Sequence, residues 1–240
     1  MTGSRLGRAA YAWVAILSIV LALLASAVNS GSLRMSDRVL LFVAQAPGSP
    51  ALDWVMALIS LLGSIEVTGI AMLVLVASDR GLPWRSWERW LPLGLFALVT
   101  LVEIGGKLLV HQPSPPLELL RGPRMPGVGV DTGFSFPSGH MTRVAFILGL
   151  IALRVVRRTR QPLWFWLCVL AVWTMGFSRV YLGQHWPADV AGGILLGGAG
   201  LALCIALSPA ATIGGMGNLA GWPDSKSNPD SSPPETSPRR

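Results

Sequence analysis

In the stretch SRVYLGQHWPAD, residues 178–189, Arg179, His185 and Asp189 gather between two long apolar runs. An imidazole four residues ahead of a carboxylate lets the acid hold one ring nitrogen and leaves the other free to attack. Arg179 adds a planar pair of donors suited to the oxygens of a phosphate-like anion. A second polar cluster, FSFPSGHMTR at 134–143, opens another apolar run. There Ser138 is small and polar, and Gly139 lets the backbone approach a ligand closely. The free N–H groups of a helix start and its dipole attract an anion. His140 is a second imidazole, and two imidazoles near one anion suit the roles of nucleophile and acid. The third cluster is Lys107, a further cation, followed by LLVHQPSPP. A single histidine at a membrane edge is ordinary; three clusters on one rim are not.

The elements that must bring these clusters together follow from composition. Of 240 residues, 52% are hydrophobic and 13% charged, about half the charge of a soluble domain. Many of the ten Trp stand near the ends of apolar runs, where indole rings anchor at the headgroup level. The chain is therefore read as an all-α, polytopic membrane protein. Stretches long enough to cross run from Ala10 to Val28, Trp54 to Ala77, Trp90 to Val110, Met141 to Val156, Leu163 to Val180, and Ala188 to Leu207. The first is longer than a usual signal-peptide core and is read as a retained span. Between the first two spans, RVLLFVAQA reads as a half-buried helix on the outer surface. Ser49, Pro50 and Asp53 have the order of an N-cap, a first-turn proline and a dipole-matched acid. Gly193 and Gly197 are spaced for close helix packing. Residues 1–207 form the transmembrane domain, and 208–240, rich in Pro, Ser and charge, form a disordered tail.

The formal charge of +7 sits in short loops rather than on a solvated stripe, which argues against a nucleic-acid partner and for membrane orientation. Arg5, Arg8, Arg80, Arg85, Arg89, Arg154, Arg157, Arg158, Arg160, Lys226, Arg239 and Arg240 fall on one side. That side is cytoplasmic, so both termini are cytoplasmic and the three clusters face outward. Cys168 and Cys204 lie inside apolar runs as small hydrophobes. For a metal, His111, His140 and His185 with Asp131, Asp189 and Glu118 are the available ligands, but no HExxH-like spacing is present.

The motifs PSGH (137–140) and SR-x5-H-x3-D (178–189) resemble the second and third motifs of the type 2 phosphatidic acid phosphatase superfamily, which includes the vanadium haloperoxidases. The third matches at Ser178, Arg179, His185 and Asp189, the second at Pro137, Ser138, Gly139 and His140. The first motif, Lys, six residues, then Arg-Pro, is half there: Lys107 and Pro115 fit, but Ser114 replaces the Arg. Gln112 is also neutral where many bacterial members carry a second Arg. Loss of one charge-assisted contact to phosphate removes roughly 1.5–3 kcal/mol of binding. Arg121 and Arg124 are candidates to replace it.

The resemblance implies a six-transmembrane-helix bundle of the acid phosphatase/vanadium haloperoxidase type. It implies a membrane lipid phosphatase that needs no cofactor. His185 is the expected nucleophile, forming a phosphohistidine, with Asp189 orienting it and His140 protonating the leaving oxygen. Lys107, Ser138, Gly139 and Arg179 are the expected phosphate ligands. The expected partner is a lipid phosphate or pyrophosphate in the bilayer: phosphatidic acid, phosphatidylglycerol phosphate or a polyprenyl pyrophosphate. Two other classes stand beside this one. A non-catalytic lipid-phosphate binder is favoured by the missing Arg and opposed by the intact histidines. A small transporter would carry polar residues toward the midplane, where Glu66 is nearly alone. The sequence does not fix an oligomeric state.

Overall fold

The computed structural model describes residues 3–123 and 133–208, and every regular element among them is helical. The order is α1 (Gly3–Asn29), α2 (Arg34–Gln45), α3 (Pro50–Leu61), α4 (Ile65–Ala77), α5 (Trp87–Leu109), α6 (Gly139–Thr159), α7 (Leu163–Tyr181) and α8 (Pro187–Leu207). Five of them, α1, α5, α6, α7 and α8, are each long and apolar enough to cross a membrane. The flanks of α1 and α7 expose Ile19, Leu23, Trp166 and Trp173. Apolar surface of that extent belongs against lipid. This is an all-helical, multi-pass membrane protein.

The inner pair is α6 and α8, and glycine sets how near they come. A Cβ on Gly193 would stand 2.4 Å from the Ser138 carbonyl oxygen, and one on Gly197 would stand 2.4 Å from that of Thr142. Only hydrogen fits at these two positions, so the expected close packing is present. Helix α1 runs antiparallel along α8: Gly7 lies near Ala206, Leu17 touches Gly198, and Val28 packs in one cluster with Ala188. A second cluster of Met72, Phe96, Phe146, Leu150 and Cys204 joins α4, α5, α6 and α8 at the other end.

The second expected span, Trp54 to Ala77, is not continuous. It is α3 and α4, separated at Leu62–Ser64. Leu62 and Gly63 close α3 with turn bonds to Ile59 and Ser60, and the Ser64 side chain caps α4 by accepting the Val67 N–H at 3.3 Å. Gly-Ser inside an apolar run stops one helix and starts the next. At 1.5 Å per residue the two pieces rise about 18 and 20 Å, so neither alone spans the roughly 30 Å hydrocarbon layer.

The surface helix read from RVLLFVAQA is α2. It meets α3 at 118°, exposes Val39, Leu40, Phe42 and Val43, and buries Asp37 and Leu41. Ser49 caps α3 as expected, accepting the Leu52 N–H at 3.3 Å, with Pro50 in the first turn. The segment read as a disordered tail lies, beyond Ser208, outside the described residues.

Candidate active site

The third motif is shaped by the end of α7. Gly183 closes that helix in the left-handed region at φ +67°, and a Cβ there would meet the Leu119 carbonyl oxygen at 2.2 Å. The chain folds back so that the N–H groups of Gln184 and His185 both donate to the Arg179 carbonyl, at 3.0 and 3.2 Å. Pro187 then starts α8. Asp189 Oδ2 accepts the Trp186 N–H at 2.8 Å and stands 3.3 Å from His185 Nδ1. One carboxylate oxygen thus caps α8 and orients the ring, leaving Nε2 outside that pair. Burial, then the nearby Arg179 and Lys107, hold the His185 imidazole well below its usual pKa. The ring is therefore neutral at neutral pH, the form with a lone pair to offer.

The second motif is tied to the third by backbone: the Ser138 N–H donates to the Asp189 carbonyl at 3.0 Å. Asp37 of α2 braces the same junction. Its Oδ1 accepts the Ala188 N–H at 2.9 Å, and its Oδ2 accepts Gln112 Nε2 at 3.1 Å. The first motif is pinned through Trp186, whose indole N–H donates to the Pro113 carbonyl at 2.8 Å. Lys107 Nζ pairs with Glu103 Oε1 at 2.8 Å, and Glu103 Oε2 lies 3.4 Å from Arg143 Nη1. Arg179 Nη1 donates to the Ser60 hydroxyl. His140 lies within electrostatic reach of Arg179, Arg143, His185 and Lys107.

Lys107, Ser138, Gly139, His140, Arg179, His185 and Asp189 therefore converge at one end of the bundle, as their places at successive helix ends require. Ser114 is exposed, and Gln112 is committed to Asp37. Arg121, a candidate replacement for the missing Arg, instead bonds Asp53 Oδ1 at 3.0 Å, which holds its guanidinium above the usual pKa. Arg124 and Asp131 lie outside the described residues. His111 stands edge-on to Phe134 with centroids 5.0 Å apart. Among the described residues no three His, Cys, Asp or Glu side chains group to hold a metal ion.

Sequence reasoning missed three contributors: Asp37, Ser60 and Arg143. For Arg143 a signal existed, since a charge inside an apolar span defaults to a functional reading. For Asp37 the spacing to Leu41 placed both on one buried face of α2. Ser60 had no signal beyond being polar in an apolar helix.

These features define a class: an all-helical membrane protein whose helix ends gather Lys107, Arg179 and the start of α6 beside an acid-braced imidazole. Residues 88–213 match the family described as the PAP2 superfamily, and the chain belongs to it. Phosphatidylglycerophosphatase B of Bacillus subtilis strain 168 is 28% identical over 181 residues, covering 73% of this chain and 84% of that protein. An undecaprenyl-diphosphatase of Sulfolobus acidocaldarius is 39% identical over 67 residues, 28% of this chain and 30% of that one. A crystal structure of a transmembrane PAP2-type phosphatidylglycerolphosphate phosphatase from Bacillus subtilis shares the fold. Its TM-score is 0.66 at 24% identity, over 80% of this chain and 93% of that one.

Proposed function

We propose that this protein hydrolyses the phosphomonoester or pyrophosphate of a membrane lipid, with His185 as nucleophile. The observation that carries this reading is the His185–Asp189 pair set beside Arg179, Lys107 and the start of α6. Ser138 Oγ and Arg179 Nε there are buried without hydrogen-bond partners among the described residues. Buried polar groups require partners, and a phosphoryl group brings acceptors for such donors.

In the first step, His185 Nε2 attacks phosphorus, a P–N bond forms, and the P–O bond to the lipid breaks. His140 gives its proton to the departing oxygen. Asp189 holds the Nδ1 proton and balances the charge that develops on the ring. In the second step, water attacks phosphorus, His140 takes back a proton, the P–N bond breaks, and phosphate leaves. Lys107, Arg179, Ser138 and the Gly139 N–H hold the equatorial oxygens, where charge spreads in the transition state.

The substrate class is a lipid whose tail stays in the bilayer while its head reaches the rim of the bundle. The names of the two relatives, one for phosphatidylglycerophosphate and one for undecaprenyl diphosphate, support both monoester and pyrophosphate heads. Loop charge supports cytoplasmic termini and an extracytoplasmic pocket. Cysteine labelling at Gln184 checks this, since access from the cytoplasm alone would reverse it.

The test of activity is phosphate release by purified protein from phosphatidic acid, phosphatidylglycerol phosphate and a polyprenyl pyrophosphate. Wild type should turn over at least one of them without added metal. His185→Ala should abolish release, and Asp189→Asn should reduce it by several orders of magnitude. Unchanged turnover in His185→Ala, or turnover lost to a chelator, would defeat the mechanism. A folded wild type that binds phosphate but never releases it from a lipid would favour the binder reading.

A further inference from the structure

The Glu103 carboxylate lies where an anionic headgroup would be expected. It is buried, 2.8 Å from Lys107 Nζ and 3.4 Å from Arg143 Nη1. It also rests against the first turn of α6: a Cβ on Gly139 would lie 2.6–2.7 Å from its carboxyl atoms. That turn carries unsatisfied N–H groups and the positive end of the helix dipole, the place where helices bind anions. Around it the donors outnumber the acceptors. Arg143 Nη2 makes a long 3.5 Å contact to the Gly63 carbonyl, in the break between α3 and α4. Arg143 Nε, Arg179 Nε and Ser138 Oγ are buried with no partner among the described residues. Lys107 and Arg143 pair with Glu103, Arg179 lies within electrostatic reach of Arg143, and Glu66 and Asp189 lie within reach of Arg143 and Lys107. Donors buried without partners in an apolar surround are costly until an acceptor arrives.

We propose that Glu103 is the resident counter-anion of the phosphate pocket. An incoming phosphoryl group displaces its carboxylate from Lys107 and Arg143, and Arg143 thereby supplies the guanidinium that Ser114 does not. The ligand named here follows from the phosphatase reading; the displacement is measured without turnover. Arg143 reaches the pocket from α6, three residues beyond His140, a direction the linear motif pattern does not contain.

Equilibrium binding of radiolabelled inorganic phosphate to the purified full-length protein is the test, with melting temperature in detergent recorded for each variant. Glu103→Gln should bind phosphate at least tenfold tighter, because no carboxylate competes for the same donors. Glu103→Gln leaves both Lys107 and Arg143 without their carboxylate, and adding Arg143→Gln removes one of those stranded charges, so the double variant should melt no lower than Glu103→Gln alone. It should nevertheless bind roughly 10- to 100-fold more weakly than Glu103→Gln alone, the loss expected for one charge-assisted contact. Arg143→Lys in the same background should recover part of the loss. The proposal falls if Glu103→Gln binds no tighter, or if Arg143→Gln in that background changes affinity less than twofold. Variants that behave as expected in a protein that cleaves no lipid phosphate would sink the phosphatase reading and leave this one standing. Turnover with flat phosphate binding across the variants would do the reverse.

Discussion

Gly193→Ala tests whether the distance between α6 and α8 sets the chemistry. The added methyl would stand 2.4 Å from the Ser138 carbonyl oxygen, 2.7 Å from Met141 Cβ and 3.1 Å from the Thr142 nitrogen. Two of these are backbone atoms, which cannot rotate away as a side-chain tip can. Restoring an ordinary contact of about 3.4 Å to the Ser138 oxygen requires α6 to retreat by about 1 Å. Overpacking of this kind costs about 1–3 kcal/mol of stability. The retreating turn carries Ser138, Gly139 and His140, whereas His185 and Asp189 stay with α8. A 1 Å misplacement of reacting groups costs on the order of 100-fold in rate. Gly193→Ala should therefore lower kcat about 100-fold in protein that still melts cooperatively. Gly198→Ala, whose methyl would meet only Leu17 Cδ1 at 3.5 Å, should keep kcat within twofold. The assay is phosphate release from a short-chain lipid phosphate in detergent, beside a thermal melt. Folded Gly193→Ala with near wild-type kcat would refute the claim that this contact holds the second motif against the third.

Other perturbations follow from the same geometry. Gly183→Ala combines a left-handed backbone, worth about 1–2 kcal/mol, with a contact 2.2 Å from the Leu119 carbonyl. It should shift the His185 turn and lower both melting temperature and kcat, which a melt and the same assay read together. Asp37→Ala removes the acceptor of the Ala188 N–H and should cost about 1–2 kcal/mol, whereas Asp37→Asn should retain most of that stability. Acid should act late on activity. Because burial, Arg179 and Lys107 hold His185 below its ordinary value, the ring stays neutral through pH 6.5, about where a free imidazole protonates. The acid limb of kcat/KM should then lie below 6.5, and a limb above 7 would contradict the buried geometry. The same depressed value means that its contribution to stability is full above about 6.5 and declines as pH falls below it, which melts across pH 4–7 would follow.

What the sequence revealed was largely local. His185 and Asp189 are four residues apart across one helix start, so spacing alone implied the 3.3 Å contact. The Ser49 cap was legible for the same reason. Five spans were legible because about 20 apolar residues outweigh local detail. The divided second span was hidden by that averaging, although Gly63 and Ser64 marked its break. The contacts of Asp37 could not be read, because they join residues 75 and 151 positions apart. Arg143 was hidden differently: its type was visible, but the carboxylate it meets belongs to α5, and no periodicity pairs two helices. Arg121 misled because proximity to the first motif in sequence implied proximity in space, whereas Asp53 of α3 holds it.

The position of α2 has a mechanical consequence. Its greasy outer side, Val39, Leu40, Phe42 and Val43, meets the surroundings, while Asp37 on its inner side grips the turn that begins α8. Whatever tugs on this helix, such as headgroup crowding, bilayer thinning or an ill-matched detergent, pulls directly on the base of the helix that bears Asp189. Turnover should consequently follow the medium that beds α2, and rates taken in different micelles will not be comparable even when the protein stays folded.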